Sequence, residues 1–172
     1  MRWQYMNEMM TLYASGRTYE EYLEAADQLD KEKHLHYLHK MKLTVGEKKQ
    51  VMAIKKPVTL LIFCNISCND CRIALAIIEN MSISNQNLQF RIVDREVNKA
   101  IMETIDQNCK IPMIVKVMDD AYRLIFNEVP ESFRERTVRL ETEQLESERL
   151  NYRKGLYKDG IFGQLMDSLI IK

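Results

Sequence analysis

The sequence predicts an α/β fold, a central mixed sheet of about four strands flanked by helices, and three stretches carry that prediction. Val58-Thr59-Leu60-Leu61-Ile62-Phe63-Cys64 is a largely apolar, partly β-branched run, the pattern of a strand buried on both faces in a parallel sheet. After a helix and a polar turn comes Leu88-Gln89-Phe90-Arg91-Ile92-Val93, at the spacing of a strand–helix–strand unit, whose right-handed crossover makes the two strands parallel. Ile111-Pro112 then opens Met113-Ile114-Val115-Lys116-Val117-Met118, which Asp119-Asp120 turns into Tyr122-Arg123-Leu124-Ile125-Phe126 as a hairpin.

The remaining elements read as helices. In the N-terminal part, Trp3, Met6, Met9, Met10 and Tyr13 recur at helical spacing before Ser15-Gly16 ends the segment. Thr18 with Glu21 makes a capping box. Tyr19, Tyr22, Leu23, Ala26 and Leu29 follow as one apolar face, continued less regularly by Leu35, Leu38 and Met41. Thr44 with Glu47 is a second capping box, opening a short helix that Lys55-Lys56-Pro57 stops. Within the core, Ile73 to Glu79 starts a helix, and Asn98 to Asn108 is another with Ile101, Met102 and Ile105 inward. Glu131 to Lys154 reads as one highly charged, solvated helix lying across the sheet, with a thin stripe of Phe133, Thr137, Leu140, Leu145 and Tyr152. Gly155 ends it, and Ile161, Phe162, Leu165, Met166 and Leu169 mark a closing amphipathic helix. The expected organisation is an N-terminal helical extension, residues 1–56, packed on a core domain of residues 57–172.

At 172 residues and 46% hydrophobic content the chain can build a single core. Acidic and basic residues balance at 25 each, so no net field draws it to nucleic acid or to an anionic membrane. The N-terminus lacks an apolar signal core, and no run approaches the roughly 18 apolar residues of a membrane span. A cytoplasmic protein is expected, and there four cysteines point to redox chemistry or metal rather than to structural disulfides.

The chemistry centres on Cys68-Asn69-Asp70-Cys71, a C-x-x-C pair where the first strand hands over to its helix. A helix N-terminus offers unpaired N–H groups and a partial positive charge, both of which favour a thiolate. Spacing of i, i+3 places the two sulfurs on one side of the helix. With the strand–helix–strand order and Ile111-Pro112 before the next strand, these residues resemble the thioredoxin-like superfamily. The chain looks most like the bacterial families of that fold that carry an N-terminal helical extension. The resemblance covers roughly residues 57–172 and implies a thioredoxin-like fold with extra N-terminal helices and a C-terminal helix.

The resemblance also implies roles. Cys68 is the exposed nucleophile and Cys71 the more buried resolving thiol, while Ile111 and Pro112 contact substrate, with the prolyl bond cis. The implied activity is dithiol–disulfide exchange on protein substrates. It needs no bound cofactor and no metal, and its electrons come from a reducing partner such as thioredoxin reductase. Three positions depart from thioredoxin. Asn69-Asp70 replaces Gly-Pro, and the Asp70 charge opposes a Cys68 thiolate, which predicts a reductant or weak exchanger. Ile62 stands where thioredoxin has a buried acid. Ser67 replaces the aromatic before the motif. Asp94, ending the second strand, reads as a helix cap and, by position alone, as a substitute acid.

Other constellations compete. Cys64 and Cys109 could both approach the pair, and four thiolates could bind a metal. Cys64, Cys68 and Cys71 also share the cysteine spacing of the radical-SAM iron–sulfur motif, but Asp70 replaces its usual aromatic and the chain is short for that barrel. His34, His36 and His39 read as solvated residues of a polar helix, and Arg134, Arg136 and Arg139 as an ordinary charged face. The rival to an exchange enzyme is a thioredoxin-like adaptor whose N-terminal helices engage a partner.

Overall fold

The apolar run at residues 58–64 forms the strand around which the rest of the chain is layered. The structure, a computed structural model, describes residues 2–118 and 121–170, with side chains from residue 7 onward. Trp3 and Met6 lie in a helix whose packing at those side chains is outside the described set, and the turn at Asp119-Asp120 lies outside the described residues. The elements run α1 Arg2–Ser15, α2 Tyr19–Glu24, α3 Gln28–Lys40, α4 Val45–Met52, β1 Val58–Cys64, α5 Asn69–Ser84 and β2 Leu88–Asp94. They continue α6 Lys99–Ile105, β3 Met113–Val117, β4 Tyr122–Asn127, α7 Glu131–Thr137, α8 Thr142–Arg153 and α9 Lys158–Ile170.

The sheet has the order β2-β1-β3-β4, with β1 parallel to β2 and antiparallel to β3, and β3 antiparallel to β4. β1 is central and buried on both faces, which is why its sequence reads as continuous rather than alternating. Leu60, Ile62 and Cys64 face the larger core cluster beneath α5 and α9, whereas Leu61 and Phe63 face a second cluster with Met9 and Met102. The outer edge of β2 is covered locally by Arg17, whose backbone exchanges both hydrogen bonds with Ile92 (2.9 and 2.8 Å).

α5 is buried all round: Cys71 and Ile73 to Ile78 have no exposed surface. A helix apolar on every side needs cover on every side, and α3, α4, α8 and α9 supply it together with the sheet. The N-terminal helices therefore contribute Tyr19, Tyr22 and Leu23 to the same cluster as the sheet. Asparagines fasten them. Asn80 Nδ2 donates to the carbonyls of Leu38 (2.9 Å) and Met41 (3.3 Å), and Asn85 Nδ2 to those of Val51 (2.8 Å) and Ile54 (2.9 Å). These bonds satisfy carbonyls left free at the ends of α3 and α4.

Both capping boxes form as the sequence predicts. Three helices differ from expectation. The apolar face starting at Tyr19 does not continue as one helix, because the Asp27 side chain caps a new helix at Asp30 N (2.8 Å) and leaves Leu29 exposed. The charged segment 131–154 is two helices, α7 and α8, the second opened by Gln144 accepting from Glu141 N (3.4 Å). It is not merely solvated: Phe133 and Tyr152 are buried against Tyr157 in edge-on and tilted ring contacts. The helix expected over 98–108 spans only Lys99–Ile105, with Asn98 at its N-cap position and without a side-chain cap bond.

Candidate functional site

The end of β1 leads into a turn that its own side chains shape. Asn65 Oδ1 accepts from Ser67 N (3.0 Å) and Ser67 Oγ (2.7 Å), and Cys68 N donates to Asn65 O (3.1 Å). This Asx turn brings Cys68 to the N-cap of α5 in extended conformation, where its sulfur accepts from Cys71 N (3.3 Å). Cys68 is half-buried and Cys71 fully buried, and both are free thiols.

Cys71 shares the larger core cluster with Cys64, which ends β1, and Cys68 packs against that cluster. Cys109 does not join them, because it lies in the second core cluster, on the opposite face of the sheet, with its thiol directed to the carbonyls of Asp106 (3.5 Å) and Lys99 (3.9 Å). The four sulfurs do not converge, which removes the geometry for a tetrathiolate site. An open four-stranded sheet likewise departs from the barrel that the iron–sulfur spacing would require.

Electrostatics around the pair disfavour the thiolate. The Cys68 thiol is pushed up first by its hydrogen bond with the Cys71 thiol and then by burial. The Cys71 amide pulls it down, and Asp70 adds a smaller upward push. Burial, followed by the Cys64 contact, holds Cys71 well above the ordinary thiol range. The single N–H at the helix start does not outweigh these effects. Asp70 itself is raised by burial against the pull of Arg149 and Arg153. Arg149 of α8 reaches Asp70 at 3.6 Å and Glu128 at 3.3 Å, and Lys110 reaches Glu128 at 3.8 Å. This chain of charges links the dipeptide between the cysteines to the segment that precedes Pro112.

Ile111-Pro112 is cis. The register Phe63↔Met113 puts Pro112 level with the end of β1, beside the turn that carries Cys68. The Pro112 carbonyl accepts from Glu128 N (2.9 Å), and both Ile111 and Cys68 pack against the larger core cluster. Ile62 is fully buried beneath the helix, so no acid occupies that place. Asp94 caps a turn rather than the helix expected of it, accepting from Glu96 N (2.8 Å) and Val97 N (3.2 Å), while Asn98 stands at the N-cap position of α6.

The sequence reading missed the shell that the other helices provide. His34 is not solvated; it is fully buried, with Nε2 3.1 Å from the carbonyl of Ile66 in the Cys68 turn. Its ring packs edge-on against Tyr19 and Tyr22, and burial lowers its pKa to about 4. A neutral ring donates Nε2–H to Ile66. His36 and His39 are exposed, as expected. Arg72 is buried, ion-paired with Asp30 of α3 and donating to Asn69 Oδ1 (2.6 Å). The hydroxyls of Tyr22 and Tyr152 are buried without hydrogen-bond partners among the described residues. Beyond Tyr22 a cleft of about 620 Å³ is lined by Leu12, Arg17, Ile66 and Asp94, among others. The one signal available for this shell was the unbroken apolar run of α5, which demands cover on all sides.

Comparison with known proteins agrees with this architecture. A family model described as thioredoxin matches residues 16–146, beginning inside the N-terminal helices rather than at the first strand. No curated protein matches the sequence. Among solved structures, a protein of unknown function from Pseudomonas aeruginosa superposes with a TM-score of 0.73 at 16% identity, covering 92% of this chain and 94% of that one. An HIV epitope-scaffold superposes with a TM-score of 0.73 at 15% identity, covering 94% of this chain and 96% of the scaffold. At these identities the likeness is one of fold alone. With a four-stranded mixed sheet, a C-x-x-C at the start of its central helix and a cis proline opening the third strand, the chain belongs to the thioredoxin family.

Proposed function

We propose that the protein is a thiol–disulfide oxidoreductase that reduces disulfides in protein substrates. The observation that carries this reading is the Cys68 sulfur capping α5 at 3.3 Å from the Cys71 amide, with Cys71 one turn behind it and fully buried. Cys68, as thiolate, attacks one sulfur of the substrate disulfide, and the other substrate sulfur leaves as a thiol. Cys71 then attacks Cys68, releasing the second substrate thiol and leaving a Cys68–Cys71 disulfide. Ile111 and Pro112 offer backbone and surface to the substrate chain beside Cys68. An external reductant such as thioredoxin reductase returns two electrons, and no bound cofactor takes part.

The direction of exchange follows from the thiol. An acidified nucleophile stabilises the reduced form and makes an oxidant, whereas the upward pressure on Cys68 does the opposite. A reductant suits a cytoplasmic setting. Balanced charge and the lack, among the described residues, of any helix long and apolar enough to cross a membrane fit action on neither nucleic acid nor bilayer.

Turnover of insulin disulfides coupled to thioredoxin reductase tests the reading. Activity that rises with pH and disappears in Cys68→Ser is expected. No turnover at any pH at which the protein stays folded would contradict it. The raised Cys68 and the apolar Ile62 favour a second reading, an adaptor with residual redox activity, and that same null result would support it.

A further inference from the structure

The turn that carries Cys68 is closed from within by Asn65, and a helix of the N-terminal extension holds it from outside. His34 Nε2 lies 3.1 Å from the carbonyl of Ile66, two residues before Cys68. The ring has no exposed surface, and Tyr19 and Tyr22 pack edge-on against it with centroids 6.1 and 5.7 Å away. Nδ1 is buried with no partner among the described residues, so the Ile66 carbonyl is the ring's one polar contact there. An imidazole buried among aromatic rings is costly unless its N–H is bonded, which gives this single bond its weight. Asp27 caps the start of α3, and Asn80 binds the carbonyls of Leu38 and Met41 at its end. The Ile66 carbonyl is therefore held by a helix anchored independently of the turn.

We propose that His34 is a positioning residue for the exchange reaction, its Nε2–H bond to Ile66 fixing the turn that presents Cys68 at the N-cap of α5. The inference rests on the exchange reading above and deepens it. A short chain of contacts sets the place of the nucleophilic sulfur. Ile66 O accepts from His34, Ser67 is held by Asn65 Oδ1, Cys68 N donates to Asn65 O, and Cys68 Sγ accepts from Cys71 N. Ile66 also lines the cleft of about 620 Å³ beside Tyr22, which gives the turn room to shift once the outer bond is lost. Attack on a disulfide sulfur needs the thiolate aligned with the bond it breaks, so a displaced turn slows the chemical step. Ile111 and Pro112 offer their contacts to substrate from a separate segment, and binding is spared.

The test compares two full-length variants. His34→Gln keeps a side-chain N–H donor close to the Nε2 position, whereas His34→Leu fills the space without one. Each is assayed for insulin reduction and for alkylation by iodoacetamide, read at the Cys68 peptide. His34→Leu should lose roughly tenfold or more in kcat, with KM within about twofold of wild type. Its Cys68 should be alkylated roughly threefold or more faster, because the sulfur is no longer held half-buried. His34→Gln should stay within about threefold of wild type in both assays. Equal losses in the two variants would make the ring a space-filler, and equal retention would make the bond idle; either overturns the proposal. Absence of insulin turnover in the wild type would sink the exchange reading, and the alkylation contrast then decides separately whether His34 holds Cys68. The wild-type protein decides the matter even if His34→Leu folds poorly. Its long-range proton–nitrogen spectrum at neutral pH should show His34 as the neutral Nε2–H tautomer, and a charged ring or an Nδ1–H tautomer would overturn the assignment.

Discussion

Arg72, the residue directly after the second cysteine, is buried in an ion pair with Asp30, which belongs to the N-terminal helices. Helix α5 is thus tied to a part of the chain that a minimal thioredoxin fold does not require. Arg72 also holds Asn69, the first residue between the cysteines. The same N-terminal segment places His34 under the turn before Cys68. On this evidence of contact, residues 1–56 act as part of the site's scaffold rather than as an appendage.

Removing one partner of that pair should be costly. Arg72→Ala strands the Asp30 carboxylate beside a cavity, and a loss of about 2–4 kcal/mol is expected in urea unfolding. The double variant Arg72→Met with Asp30→Asn should lose less than the sum of the two single changes. Additive losses would show that the two side chains do not interact.

The raised thiol sets a pH dependence. Because Cys68 is held above the ordinary range by its contact with the Cys71 thiol and by burial, iodoacetamide should alkylate it slowly at pH 7 and faster into the alkaline range. Asp70→Asn removes one upward push, so the rate at pH 7 should rise roughly two- to tenfold, a full pKa unit being tenfold. A Cys68 that titrates below about 5, like the most acidified thiols, would contradict the electrostatic reading.

His34 gives a separate signature. Its pKa falls from 6.5 in the ordinary state to about 4 in the fold, with burial as the main cause; Arg72 pushes it further down, while the Ile66 carbonyl and Asp30 push it up. The unfolded chain therefore binds more protons between those values. Stability should fall as pH drops from about 6.5 to about 4, by roughly 3 kcal/mol from this group at the limit. Other groups titrate in the same window, so the measure is a difference: in His34→Gln the pH slope of unfolding free energy should be shallower. An unchanged slope would place His34 in solvent.

Gly155 closes α8 in a Schellman arrangement, with its own N–H on Tyr152 O (2.8 Å) and Leu156 N–H on Asn151 O (3.1 Å). Its φ is +81°, and a Cβ there would collide with Met41 Cε. Gly155→Ala should cost about 1–3 kcal/mol, through left-handed strain and displacement of a flexible methionine end. Chemical denaturation measures it. Because α8 packs against α5, the helix that Cys68 caps, Cys68 alkylation rates should also shift.

What was legible in the sequence was local. The buried strand at 58–64, the C-x-x-C at a helix start and the proline before 113 declare themselves within a few residues, because backbone geometry and burial on two faces fix their composition. The shell around them was not legible. His34 meets Ile66 across 32 positions, and Asp30 meets Arg72 across 42, so a polar-looking helix hides two inward residues among many outward ones. Tyr152 sits among charged neighbours, yet this single buried aromatic at the end of α8 docks the helix. The break at Asp27, where that side chain caps α3, is masked by the apolar spacing that runs through it.

The central claim is that Cys68 attacks substrate disulfides and Cys71 resolves the product. Cys71→Ser, incubated with cell extract and resolved under non-reducing conditions, measures it most directly. Mixed disulfides on Cys68 that persist, dissolve on adding dithiothreitol and vanish in the Cys68→Ser, Cys71→Ser double variant are the expected result. A Cys71→Ser protein that carries no dithiothreitol-sensitive adduct on Cys68 would contradict the account.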